Sequence, residues 1–202
     1  MFVALDLETT GLQPSARMIE IAAVHFSRTG EPIARFGSLC NPGCRVPRLI
    51  SRLTGITPAM VAAAPDVEHV LRAFLAWLPK TATLVAHNAP FDRRMLEGEC
   101  GRIAVEPLTS REWLDTLPLA RRHLPLADYR LPAIARSFGW DQELPMHRAA
   151  ADAELVRRLF VLLTSPRLLR EVAGTAETPP CCSRNQATRI DEGGKAPLGL
   201  GG

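Results

Sequence analysis

Several features that would place this chain in a special class are missing. The 202 residues carry 24 Lys and Arg against 21 Asp and Glu, a formal net charge of +3, so the chain is not a strongly cationic nucleic-acid binder. No apolar run is long enough to span a bilayer, and no basic region followed by an apolar segment indicates a signal peptide. We therefore expect a soluble, cytoplasmic protein.

Lysine is scarce, and the cysteines form no recognisable pattern. The five cysteines are odd in number and irregular in spacing, which indicates no disulfide framework, and Cys40 with Cys44 lacks the second pair that completes a zinc site. Only Lys80 and Lys195 accompany the arginines, so arginine is a weak indicator of phosphate recognition here. Three arginine pairs are more typical of solvated helix faces than of a nucleic-acid groove: Arg93-Arg94, Arg121-Arg122 and Arg157-Arg158.

The order of predicted elements indicates an α/β fold with a mixed sheet surrounded by helices. Residues 1–172 are expected to form one domain, and the Gly-, Pro-, Thr- and Ser-rich residues 173–202 are expected to form a flexible, disordered tail. The predicted strands are 2–7, 18–26, 33–39, 82–86 and 112–115. The predicted helices are 47–52, 58–63, 67–77, 90–101, 117–122, 131–138 and 148–163.

Four carboxylates occupy positions where apolar residues are expected. Asp6 and Glu8 lie on one face of a strand that is apolar on both faces. Asp92 shares a helix face with the apolar residues three and four positions further on, and Asp152 begins an apolar stripe on the last helix. Because an unpaired buried carboxylate loses its hydration, this placement is costly unless a cation shares the site.

A hard divalent cation suits these ligands. Oxygen ligands without thiolates or clustered imidazoles favour Mg²⁺ or Mn²⁺ over Zn²⁺. Several carboxylates and one histidine fit a two-metal site that activates a water and stabilises both reacting oxygens of a phosphodiester. His147 is the candidate general base, since imidazole takes up a proton near neutral pH. Five residues of helix turn about 140° beyond one revolution, so His147 is expected on the loop before the helix of Asp152.

Three segments containing these residues resemble the motifs of a known family. DLETTG at 6–11, HNAPFD at 87–92 and HRAAADA at 147–153 are similar, in the same order, to the exonuclease motifs of the DnaQ-like, DEDDh-type 3′ to 5′ exonucleases. That family includes the proofreading epsilon subunit of bacterial DNA polymerase III and exonuclease X. The resemblance extends from about residue 1 to about residue 165.

The resemblance implies a ribonuclease H-like fold and two Mg²⁺ or Mn²⁺ ions per site. It implies that Asp6, Glu8, Asp92 and Asp152 hold the metals and that His147 is the base. A further set of residues is expected to bind substrate: Thr9, Leu12, Thr54, Ile56, His87, Asn88 and Phe91. Ordinary turn and core positions explain Thr9 and Leu12 as well as substrate contacts do, and His87 and Asn88 either orient Asp92 or touch substrate. A helix cap and a core contact explain Thr54 and Ile56 equally well, and Phe91 is as typical of a core as of a base-stacking platform.

The leading hypothesis is a metal-dependent exonuclease that hydrolyses DNA from the 3′ end and releases 5′-mononucleotides, in proofreading or repair. Its substrate would be a single-stranded or frayed 3′ end, with a DNA polymerase as a further partner. One alternative keeps the chemistry and trims RNA, as an oligoribonuclease does, because contacts to the 2′-hydroxyl decide between the sugars. The other is a catalytically silent nucleic-acid or polymerase-binding module, against which the complete set of acids argues.

Overall fold

The computed structural model describes residues 1–106, 108–143 and 147–165, and the tail predicted at 173–202 lies outside them. One sheet has the strand order β3-β2-β1-β4-β5. The strands are β1 (Phe2–Thr9), β2 (Met18–Phe26), β3 (Pro32–Leu39), β4 (Thr83–Ala86) and β5 (Trp113–Asp115). Because β1 pairs antiparallel with β2 but parallel with β4, the predicted mixed sheet is confirmed.

Helices surround this sheet within the described ranges. They are α1 (Arg48–Thr54), α2 (Pro58–Ala62), α3 (Val67–Trp77), α4 (Ala89–Arg102), α5 (Thr116–His123), α6 (Leu131–Ser137) and α7 (Ala149–Thr164). Each helix and strand begins and ends within two residues of its predicted bound. Two short 3-10 turns, Leu108–Ser110 and Trp140–Gln142, were not predicted. Over the described residues, every helix is too short or too polar to cross a bilayer.

The central strand β1 divides its side chains between two cores. Val3, Leu5 and Leu7 are buried with α3 and α4 on one face of the sheet. Ala4 is buried with α7 on the other face. Because side chains alternate along a strand, the residues two and four positions after Ala4, which are Asp6 and Glu8, lie on the α7 face.

Small side chains bring α7 close to the sheet. Ala149 and Ala153 are fully buried and pack with Ala22 and Val24 of β2. These alanines leave room for the helix backbone to approach the strand. The close packing places Asp152, between the two alanines in sequence, at the level of the acidic residues of β1.

Candidate active site

Three carboxylates converge where β1 meets the first turn of α7. Asp6, Glu8 and Asp152 each offer an oxygen atom, and these atoms lie within 4.8 Å of one another. The two residues of β1 share a face of the strand, and the pairing of β1 with β2 shifts register directly after Glu8. Strand alternation and helix packing thus bring together acids that are far apart in the sequence.

Asp92 borders this cluster from the opposite side of β1. It lies in the first turn of α4 and is 3% exposed. Its carboxylate accepts hydrogen bonds from the main-chain N–H groups of Leu7 and of Asp92 itself, which lower its pKa, but burial outweighs them and raises that pKa well above the ordinary value. The charge of Asp92 in turn helps to raise the pKa of Asp6.

Burial and mutual repulsion make these acids weak. Burial raises the pKa of Glu8 to about 7, with a further contribution from the charge of Asp152. Burial likewise raises the pKa of Asp152 to about 7. The pKa of Asp6 lies well above its ordinary value, first because of burial and then because of repulsion by Asp92 and Asp152. Without a cation, the cluster therefore retains protons near neutral pH.

The donor set fits a divalent metal ion. Oδ1 of Asp152 is buried and lacks a hydrogen-bond partner among the described residues. A buried acceptor without a partner is costly, and beside two further carboxylates a bound cation satisfies it. Clustered carboxylate oxygens are the ligands that hard cations prefer in proteins.

His147 lies before α7 rather than on it, which is the placement expected from helix geometry. Its φ is +61°, in the left-handed region that costs a residue with a side chain about 1 to 3 kcal/mol. Its main-chain N–H donates to the carboxylate of Asp152. The side chain lines a cavity of about 540 Å³ together with Asp6 and Asp152.

The same cavity contains residues that sequence reasoning did not single out. Leu53, at the end of α1, is 52% exposed and lines it. Arg130 and Arg136 line it from the side of α6. Leu53 adjoins Thr54, which was a candidate, but the sequence does not indicate that α1 and α6 face each other across the acids.

His87 is held at both ring nitrogens. The carbonyl oxygen of Tyr129 can only accept, so the Nε2–H group donates to it over 2.7 Å. Burial lowers the pKa of His87. Its Nδ1 is hydrogen-bonded to the hydroxyl of Thr116, 2.9 Å away, and that hydroxyl also lies 3.2 Å from the carbonyl oxygen of Ala86. His87 lines the cavity, but the hydrogen bonds of its ring join the end of β4 to the loop before α6.

Asn88 and Phe91 lie at the start of α4. Asn88 has a φ of +69° and its main-chain N–H donates to Oδ1 of Asp115 over 2.9 Å, which joins the ends of β4 and β5. Its side chain is exposed. Phe91 is half-buried and carries the guanidinium of Arg94 over its ring, 5.6 Å from the centroid.

The other substrate candidates divide into exposed and internal positions. Leu12 is 76% exposed, whereas Thr9 is buried and donates its hydroxyl to the carbonyl of Gly11. Thr54 donates to the carbonyl of Ile50 and accepts from the N–H of Ile56, and Ile56 is fully buried. The burial of Ile56 favours the core alternative for this residue. Thr54 is the last residue of α1 and is not a cap, since Gly55 caps the end of α1 and Thr57 caps the start of α2. Leu12 remains as a surface available to substrate.

Fold and site together define a class of protein, a ribonuclease H-like nuclease. The exonuclease family model RNase_T matches residues 3–160. A solved structure of exonuclease X in complex with 5′-overhanging duplex DNA is 27% identical, with a TM-score of 0.65, and the match covers 86% of this chain and 100% of that one. The chain belongs to this exonuclease family, which confirms the family resemblance of the three motifs.

Two polymerase proteins show the range of relatives. The DNA polymerase III subunit epsilon of Treponema pallidum is 37% identical over 166 residues, which are 80% of this chain and 75% of the relative. The PolC-type DNA polymerase III of Oceanobacillus iheyensis is 39% identical over 189 residues, or 92% of this chain. The chain spans only 13% of the length of that polymerase.

Proposed function

We propose that this chain is a Mg²⁺- or Mn²⁺-dependent exonuclease that hydrolyses DNA from the 3′ end and releases 5′-mononucleotides, in proofreading or repair. The observation that carries this proposal is the convergence of carboxylate oxygens of Asp6, Glu8 and Asp152 within 4.8 Å of one another. Two of these acids, Asp6 and Asp152, line the same cavity as His147. The similarity to a polymerase III epsilon subunit and to an exonuclease X bound to duplex DNA supports DNA as the substrate.

Asp6, Glu8, Asp92 and Asp152 would hold two divalent ions. When bound, such ions supply charge neutralisation and an activated water for phosphodiester hydrolysis. His147 takes the proton of the attacking water on an imidazole nitrogen. The apolar surfaces of Leu12 and Leu53 lie exposed, where the terminal base can pack, and Arg136 offers its positive charge to a phosphate.

A polarity assay tests the proposal directly. Matched DNA and RNA oligomers labelled at either end are incubated with Mg²⁺, and products are resolved over time. We expect 3′-labelled DNA to release labelled mononucleotide at once, 5′-labelled DNA to shorten stepwise, and a chelator to stop both. Faster digestion of RNA would favour the exoribonuclease alternative, and binding without release would favour the silent module.

We further propose that residues 1–172 form the catalytic domain, that it acts on single-stranded or frayed 3′ ends, and that a DNA polymerase is its partner in the cytoplasm. The epsilon subunit relative supports the partner. Co-purification of the chain with a replicative polymerase subunit, lost when residues 173–202 are removed, would support the domain boundary and assign the contact to the tail. Retained co-purification would assign the contact to residues 1–172.

A further inference from the structure

A buried ion pair lies beside the acidic cluster without belonging to it. Glu20 of β2 is 5% exposed and stands opposite Glu8 in the β1–β2 register. Its carboxylate accepts a hydrogen bond from Nη2 of Arg148 over 2.7 Å and from Nε over 3.2 Å. It also accepts from the main-chain N–H of Ala149 over 3.0 Å. A single carboxylate thus holds two consecutive residues at the start of α7.

This contact takes the place of a helix cap. Arg148 is the residue before the first turn of α7, and its side chain makes no capping hydrogen bond. Glu20 satisfies one free N–H of the first turn from a neighbouring strand, and its negative charge suits the positive end of the helix dipole. The start of α7 is therefore fixed to the sheet at the level of Asp6 and Glu8.

The residue directly before this fixed point is His147. Its left-handed φ of +61° is unusual for a residue with a side chain and persists only where the surrounding structure holds it. The contact with Glu20 fixes Arg148 and Ala149, the two residues that follow His147. The main-chain N–H of His147 is bound by the carboxylate of Asp152. We propose that Glu20 and Arg148 are positioning residues that hold the imidazole of His147 in its working orientation; this rests on the proposed function.

Glu20 is better suited to this role than to binding a metal. Both of its oxygens accept hydrogen bonds from Arg148, and one of them also accepts from Ala149. The guanidinium offsets part of its charge, and the remainder contributes to the raised pKa values of Glu8 and Asp152. Arg148 remains 38% exposed in its side chain, so small solutes can reach its position.

The same helix offers a matched control. Arg157 donates to both oxygens of Glu154, over 2.6 and 3.1 Å, and also to the carbonyl of Gly30. The side chain of Glu154 is 8% exposed, compared with 7% for Glu20. Loss of Arg157 therefore removes an arginine–glutamate pair of similar burial from α7 without touching the residues around His147. Glu154 keeps its ion pairs with Arg35 and Arg158 in that variant.

The experiment compares Arg148→Ala, Arg148→Lys, Glu20→Gln and Arg157→Ala in the full chain. For Arg148→Ala we expect kcat on a single-stranded DNA oligomer to fall about 10- to 100-fold, the usual cost of losing a supporting contact, with KM within about twofold. Arg148→Lys and Glu20→Gln keep part of the contact, so their kcat should fall less. Added guanidinium ion should restore part of the kcat of Arg148→Ala. Arg157→Ala should lower the melting temperature and leave kcat unchanged.

Two further measurements separate positioning from metal binding and from general destabilisation. The Mn²⁺ affinity of Arg148→Ala, measured by calorimetry, should be no weaker than that of the wild type, because the variant removes a positive charge near Glu8 but no metal ligand. Amide hydrogen exchange at residues 147–152 should accelerate about tenfold relative to Arg157→Ala. The proposal is overturned if Arg148→Ala keeps kcat within twofold, if Arg157→Ala loses as much kcat, or if exchange at 147–152 is unchanged. A wild type that releases no mononucleotide would instead overturn the proposed function, and the exchange result would still decide whether the pair holds this segment.

Discussion

The two faces of β1 use the same strand for opposite purposes. On one face Val3, Leu5 and Leu7 are buried in a core with α3 and α4. On the other face Asp6 and Glu8 continue the line of Ala4 and meet Asp152 of α7. The first face stabilises the folded state by burying apolar surface, whereas the second concentrates like charges that repel one another. Stability and chemistry are thus separated by the alternation of side chains along one strand.

The largest expected effect comes from the acidic face. Asp6→Asn keeps the shape of the side chain but removes a charge from the centre of the cluster. We expect mononucleotide release to fall about 10⁴-fold or more, as is typical when a member of an interdependent catalytic set is lost. The folded state should be retained or stabilised, because a repelling charge is gone. An active Asp6→Asn protein in the oligomer assay would disprove the assignment of this residue.

His147→Ala should have a smaller effect. Loss of a general base lowers turnover about 10² to 10⁴ fold, because water can still be deprotonated by solvent. Substrate affinity, measured by fluorescence anisotropy with Ca²⁺ in place of Mg²⁺, should remain near that of the wild type. Unchanged turnover would assign the proton transfer to another group.

The apolar face should respond in stability alone. Leu5→Ala removes a fully buried side chain from the core, and we expect the free energy of unfolding to fall by about 2 to 5 kcal/mol. Urea unfolding measures the loss. Below the unfolding transition, kcat should stay near the wild-type value, and a large fall in kcat for the folded protein would show that the two faces are coupled.

The smallest expected effect is a pH dependence of stability in the metal-free protein. The pKa values of Glu8 and Asp152 are raised to about 7 by burial, so the folded state binds more protons than the unfolded state at pH values below that. Stability should therefore decline as pH rises from about 5 to about 7.5 with a chelator present. Urea unfolding across this range measures the slope, and Glu8→Gln should flatten it.

Metal ions should reverse this trend. Because the ligands must lose their protons, Mn²⁺ binding near neutral pH should release protons, which calorimetry in buffers of different ionisation enthalpy detects. The added stability should be larger at pH 8 than at pH 5.5. Equal stabilisation at both pH values would contradict the raised pKa values of the cluster.

Much of this molecule follows from local patterns in the sequence. The strand at Met18–Phe26 and the helix at Val67–Trp77 begin and end as predicted, since hydrophobic periodicity is a local signal. The placement of His147 outside α7 also follows from helix geometry alone. The roles of the predicted site residues stay predictions that the variants above test.

The sequence by itself determined the elements, the mixed-sheet class and the candidate acids, because periodicity, caps and motif spacing are properties of neighbouring residues. Only the tertiary structure decided that Ile56 lies in the core and that both ring nitrogens of His87 form structural hydrogen bonds. It also decided that Glu20 binds Arg148, which lies 128 positions further along the chain. Such contacts depend on which elements pack together, and no local pattern encodes the side chain that a distant strand will present.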